Sequence, residues 1–196
     1  MLFRSASERD VAFGRHRNST GTYNFVAMSR NTPGEENAYP KVGPVVITEI
    51  MYHPPAGGLL DKDEYEYIEL RNISGSPVTL QEWDDQKQVL VPWKFTEGID
   101  YTFPLGVSIP AGGSLVVAKN PTAFRERYPQ VATSILYVPY PDTQLSNSGE
   151  KVELDKPGDE VAWVSYYIRV DRVSYRDGTH PGHLENGIDP RPTSED

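Results

Sequence analysis

Apolar and polar positions alternate most clearly in two neighbouring stretches, Pro44–Tyr52 (PVVITEIMY) and Glu64–Asn72 (EYEYIELRN). Both are rich in β-branched and aromatic residues, which suit a pleated, half-buried strand. In the second, Ile68 and Leu70 fall on one face, with Tyr65, Tyr67 and Glu69 on the other. Between the two lies His53-Pro54-Pro55-Ala56-Gly57-Gly58, where prolines forbid a helix and glycines permit tight reversal. The turn Asn72-Ile73-Ser74-Gly75-Ser76-Pro77 closes the second strand, and Val78-Thr79-Leu80 opens a third. Strands with one apolar face need a second layer to cover it, so the pattern predicts a β-sandwich.

The same reading along the rest of the chain predicts more short strands. They are Gly98–Phe103, Val107–Ile109, Ser114–Lys119, Ile135–Val138 and Lys151–Leu154. The apolar run of Ser114–Lys119 marks a central strand. Pro157-Gly158-Asp159-Glu160 is expected to turn the chain into a strand over Val161–Tyr167, and a last strand to cover Arg169–Tyr175. Asn120 at an N-cap position, Pro121 at the first helical position and Pro129 as a stop frame a single short helix. Nearer the amino terminus, Val11–Arg17 and Tyr23–Ser29 flank a five-residue loop and read as a hairpin, followed by an extended linker over Arg30–Gly43. Beyond Arg176 the composition becomes polar and rich in Pro and Gly.

These motifs resemble the lamin-tail domain in its bacterial form. The resemblance rests on VVITEI, EYIELRN with SGSPVTL and EW, YTFPLGVSIPAGGSLVVAKN and LSNSGEKVEL, in that order between Pro44 and Tyr175. It implies an all-β, immunoglobulin-like sandwich with one short helix and an N-terminal hairpin extension. The expected organisation is hairpin and linker over 1–43, sandwich over 44–176 and irregular tail over 177–196. The hairpin with Thr32-Pro33-Gly34-Glu35-Glu36-Asn37 resembles the close of a preceding repeat, and the family's last strand pair is expected to be missing after Tyr175. Residues 11–29 are therefore expected to fill that slot by strand addition, within the molecule or in a neighbour. The family's buried aromatic falls on Trp83, expected in a core with Ile47, Ile68, Leu70, Phe103, Leu115, Val117, Val152, Leu154 and Val164.

The resemblance carries no catalytic motif, and the residues supply none: no cysteine, no nucleophile elbow and no glycine-rich loop opening a helix. The expectation is a non-enzymatic structural and protein-interaction module of a larger, exported bacterial protein, without a cofactor. The amino-terminal residues lack the apolar core of a signal peptide, and no apolar run is long enough to span a membrane. An extracytoplasmic or cell-surface location follows from the resemblance alone. The partners expected are proteins, including further copies of the chain, with glycans as the alternative. A net charge of −9 opposes binding to a phosphate backbone, so nucleic acid is not an expected partner.

Three groups of residues were set apart for chemistry. Asp61, Asp63 and Glu64, beside Glu66, are hard oxygen donors that could hold calcium, though without the spacing of a helix-loop-helix site, and a solvated loop explains them as well. His180-x-x-His183 in the tail could offer two metal ligands, but has no helical frame. In VAWVSYY, alternation points Ala162, Val164 and Tyr166 inward and Trp163 and Tyr167 outward. An outward Trp–Tyr pair, with Trp93 as a further exposed or core-covering aromatic, suits a partner hot spot, or the sugar-stacking platform of a carbohydrate-binding module.

Overall fold

The computed structural model describes residues 8–17, 21–55, 62–132, 135–140, 143–161 and 164–176. In chain order its strands are β1 (Phe13–Arg17), β2 (Tyr23–Ala27), β3 (Val45–Met51), β4 (Tyr67–Asn72), β5 (Val78–Thr79), β6 (Gln81–Asp84) and β7 (Val89–Pro92). There follow β8 (Lys94–Glu97), β9 (Tyr101–Thr102), β10 (Ser108–Ile109), β11 (Ser114–Ala118), β12 (Leu136–Pro139), β13 (Glu150–Val161) and β14 (Val164–Tyr175). The helix α1 (Pro121–Arg127) lies between β11 and β12, and a single 3-10 turn spans Lys62–Tyr65.

Two four-stranded sheets form the sandwich, in the orders β12-β11-β4-β3 and β14-β13-β8-β9. Antiparallel pairing sets Ile47 opposite Leu70, and Leu70 opposite Leu115, so one apolar row crosses three strands. Ile68, Leu70, Leu115 and Val117 from the first sheet meet Phe95, Phe103, Val152 and Leu154 from the second in one buried cluster. The expected core is borne out at seven of these positions, and Phe95 joins it unforeseen. Ile47 is only partly buried, because β3 is an edge strand with a bulge at Thr48. The side chain of Val164 lies outside the described residues.

The expected central strand is central on both counts. β11 lies between β4 and β12, and its other face, Val116 and Ala118, packs with Tyr67 under Phe124 of α1. Tyr67 meets Phe124 and Tyr128 edge-on, with ring centroids 5.1 and 5.6 Å away. Tyr65 and Tyr67 therefore point away from the sandwich core, as alternation predicts, yet both are buried by this second layer. The helix starts where the sequence signals it. Asn120 accepts from Thr122 N (3.0 Å) and Ala123 N (3.1 Å), capping two amides that have no partner within the helix.

Asn72 fixes the far end of β4. Fully buried, it donates through Nδ2 to the carbonyls of Ser76 (2.8 Å), Ile109 (3.0 Å) and Pro110 (3.1 Å), and its Oδ1 accepts from Ser74 N and Oγ. Two turns and the end of β10 are thus held by one amide whose polar atoms all find partners.

The expectation for Trp83 is overturned. It is 54% exposed, on β6, which pairs with β7 in a two-stranded ribbon outside both sheets. Leu80, three residues earlier, is the fully buried position, and its carbonyl accepts from Trp93 N at 2.9 Å. The chain leaves the sandwich after Leu80 and re-enters at Trp93, so Trp93 takes the aromatic slot at 2% exposure. Its indole N–H, which needs an acceptor when buried, donates to Glu82 Oε1 at 3.2 Å.

The last hairpin also differs from the expectation. β13 continues through Pro157 to Val161, with its register broken between Leu154 and Asp155 and between Pro157 and Glu160. Pro157 is tolerated because β8 pairs with β13 only at Glu153, Leu154 and Asp155, so no strand on that side needs its missing N–H. Opposite the first break, β14 carries one extra residue, Val170, and such a bulge exchanges the faces of the side chains beyond it. Tyr166, expected inward, itself lies without a strand partner at the second break, between Ser165 and Tyr167, and is exposed.

The N-terminal hairpin forms as β1 and β2, with Phe13 opposite Ala27 and Arg17 opposite Tyr23. It is a separate two-stranded sheet and adds no strand to the sandwich. The slot beside β14 is therefore not filled by residues 11–29 of the same molecule. Trp93→Ala should cost roughly 3–5 kcal/mol, the scale for emptying a large aromatic site. Trp83→Ala should change stability by less than about 1 kcal/mol, as exposed positions do. Urea unfolding of the two variants would check this, and a larger loss for Trp83 would refute the assignment.

Candidate interaction surface

The acids singled out for calcium are partly taken up by the fold. Glu64 Oε2 accepts from Asn120 Nδ2 at 2.9 Å, tying the 3-10 turn to the helix cap. The Asp63 carbonyl accepts from Glu66 N at 3.1 Å, and Asp61 lies outside the described residues. Among the described residues no group of three His, Cys, Asp or Glu could hold a metal ion. His180 and His183 also lie outside them.

Glu66, the last acid of the stretch considered for calcium, is instead a buried structural group. It is 1% exposed, and its Oε2 accepts from Leu145 N (2.9 Å) and the Tyr140 hydroxyl (3.3 Å). Burial pushes its carboxyl up to about 7, against the smaller opposing effects of the Leu145 amide and Lys119. Next to it, the Tyr175 hydroxyl donates to Glu150 Oε1 (2.9 Å) and to the Ser146 carbonyl (3.0 Å). The same Glu150 oxygen accepts from Ser146 N at 2.7 Å. These two carboxylates fasten the loop around Leu145 and Ser146 to both sheets, and that is what the arrangement does chemically. The only sequence signal was a glutamate within an otherwise buried aromatic run.

Of the aromatics expected at a binding face, Trp163 lies outside the described residues. Trp93 is buried in the core and presents no ring to solvent. Tyr167 is half-buried, with the Lys94 ammonium 3.9 Å from its ring centroid, a cation–π contact that covers one ring face. Trp93 and Tyr167, the two of the three that are described, do not form a platform together. Several exposed apolar side chains sit instead on the two ribbons that add no strand to either sheet, and others, such as Tyr39 and Leu105, on loops. Phe13 (46% exposed) and Phe25 (65%) stack on the first at 6.3 Å between ring centroids. On the second, Trp83 pairs across the strands with Leu90, also exposed.

A groove of about 460 Å³ separates the first ribbon from β14. Ile47 N donates to Asp171 Oδ2 (2.7 Å), and the rings of Tyr52 and Tyr175 lie 4.3 Å apart, so β3 and β14 run side by side there. Upstream of Ile47 the chain separates from β14. Residues 39–44 form one wall of the groove, five consecutive β14 residues, 168–172, form the other, and Phe13 and Val26 of the ribbon face them. Lys41 N donates to Ala27 O (2.8 Å) and Ser29 N to Tyr39 O (2.9 Å), which binds that wall to β2. Glu8 forms ion pairs with both Lys41 and Lys156 across the groove.

A sandwich of two four-stranded sheets, with a helix over the outer face of one and an apolar seam from β3 to β14, is now in place. The family model of the lamin tail domain matches residues 39–167. The chain belongs to that family. Comparison with curated proteins and with solved structures gave no match. The lamin tail domain is an immunoglobulin-like fold of the structural, protein-interaction type and is not typically enzymatic. The match begins after β2, so the ribbon carrying Phe13 and Phe25 lies outside it.

Glu66 makes the stability depend on pH. Its folded value, about 7, lies above its ordinary 4.5, so between those limits the folded chain holds a proton that the unfolded chain releases. Its contribution is thus fully present below pH 4.5 and is lost as pH rises through 7, by up to about 3 kcal/mol. Burial raises Glu153 and Asp155 in the same direction, so the comparison must be with Glu66→Gln. Urea unfolding from pH 5 to 8 should show the wild type losing more stability than Glu66→Gln. Parallel profiles would place the titration elsewhere.

Proposed function

We propose that the chain is a non-enzymatic structural and protein-interaction module of a larger, exported bacterial protein. The observation that carries this reading is the position of its exposed apolar groups. A soluble domain that works alone has little reason to keep Phe13, Phe25, Trp83 and Leu90 in water, at a cost of about 25 cal/mol per Å² of apolar surface. All four lie on ribbons that add no strand to either sheet, which suits contacts with neighbouring domains or partners. Glu64, Glu66 and Glu150 accept hydrogen bonds from neighbouring groups of the chain, which fits a scaffold better than a reaction site. Export and bacterial origin rest on the resemblance of the motifs to repeats in exported proteins. The position of β1 and β2 outside the matched region supports their origin in a preceding unit.

Fractionation of the native cells, probed with an antibody against this chain, tests the reading. The expected band is larger than 22.0 kDa, lies outside the cytoplasm and disappears when protease is added to intact cells. A 22.0 kDa band confined to the cytosol would overturn it.

A further inference from the structure

The groove beside β14 differs in charge from the rest of the molecule. The chain carries −9, yet beside the groove Lys41, Lys156, Arg169 and Arg172 outnumber Glu8, Asp171 and Glu153, the last of which pairs with both arginines. Lys156 is close enough to Lys41 to disfavour the charge on Lys41. The ammonium of Lys41 is held below its ordinary value by burial, with the Lys156 charge adding to the effect. The two need a carboxylate between them, and Glu8, from the segment before β1, supplies it.

We propose that this groove binds an acidic, extended segment of a partner protein, and that Glu8 occupies the position of that segment's carboxylate in the free chain. The proposal deepens the interaction-module reading and rests on it. β14 is the terminal strand of its sheet, so its outer edge can accept a further strand. Five consecutive residues of β14 border the groove, as they do when a strand presents an edge, because side chains alternate between faces. A peptide paired along that edge would gain main-chain hydrogen bonds. Every second side chain would point towards Phe13, Val26 and Val170, and the others would meet the cations. Its carboxylates would displace Glu8 and exchange one ion pair for another, so the added affinity comes from the strand and the apolar contacts. A second copy entering through β1 is disfavoured, because Arg15, His16 and Arg17 would meet the same cations.

The test is an NMR titration of the full chain with a capped octapeptide of alternating glutamate and valine, and with the same peptide carrying lysine for glutamate. The glutamate peptide should shift the amides of 168–172 and of Lys41 and Val42 saturably, and less so in about 0.5 M salt. The lysine peptide should leave them unchanged. Glu8→Gln should bind about fivefold tighter and Lys156→Glu about tenfold weaker, both with wild-type melting temperatures. Equal binding of the two peptides, or a Glu8→Gln chain no tighter than wild type, overturns the proposal. So does concentration-dependent dimerisation that protects the same amides without peptide. A groove indifferent to acidic peptides leaves the module reading standing. A 22.0 kDa cytosolic protein removes that reading whatever the groove binds.

Discussion

The structure depends on burying both faces of one strand. Leu115 and Val117 of β11 look into the sandwich, and Val116 and Ala118 look out under α1. A strand buried on both sides cannot slip its register by one residue without exchanging its two apolar rows. The larger Leu115 and Val117 would then crowd the helix layer, and the smaller Val116 and Ala118 would underfill the sandwich. β4 inherits that register through Ile68 and Leu70, and β3 inherits it from β4. The helix is seven residues long and would be marginal alone in water. Its stability comes from laying Phe124 over Tyr67 and Val116, and the Asn120 cap sets where it begins.

A sandwich of two open sheets leaves edges, and here two of them run together. β3 and β14 are joined by the bond from Ile47 N to Asp171, a side chain serving where a strand would otherwise pair. The bulge at Thr48 twists β3 at the same place, while Thr48 Oγ1 bonds Glu69 Oε1 at 2.6 Å and holds the bulge to β4. Both devices make an exposed edge a poor template for chance pairing. They stop at Ile47. Upstream, the chain turns to β2 for its hydrogen bonds, and β14 from 168 to 172 borders the groove. The protected edge and the open groove are two consequences of one divergence.

How legible this was depended on whether a residue's role was local. The helix was readable because Asn120, Pro121 and Pro129 act within one or two turns of themselves. The strands of the first sheet were readable because period-two alternation and flanking turns are written in consecutive residues. Trp83 was misplaced because the excursion of β6 and β7 inserts a ribbon between Leu80 and the aromatic that fills the core. Trp83 stands among acids and Trp93 beside an apolar run, but what places Trp93 in the core is long-range: its N–H donates to Leu80 O and its carbonyl accepts from Phe103 N. The long final hairpin was misread for a related reason. Pro157-Gly158 is a turn signal in isolation, and only the end of β8's pairing makes it tolerable within a strand. The groove gave no sequence signal, since Glu8, Lys41 and Lys156 meet only in the folded chain.

Glu66 shows how the environment of an acid must be weighed before a function is read from it. A buried carboxyl raised to about 7 beside a tyrosine hydroxyl is an arrangement that a general acid or base could use. Proton transfer to a substrate, however, needs an exposed path and a free position on the reacting oxygen. Glu66 Oε1 has no hydrogen-bond partner, but the residue is almost wholly enclosed while Oε2 accepts from Leu145 N and Tyr140, so no exposed path reaches it. Its perturbation follows from being walled in while fastening a loop, a cost offset by the hydrogen bonds that fix Leu145 in the core. A shifted acid in this fold therefore marks a joint, and the surfaces available for binding are those where cations and apolar groups reach solvent together.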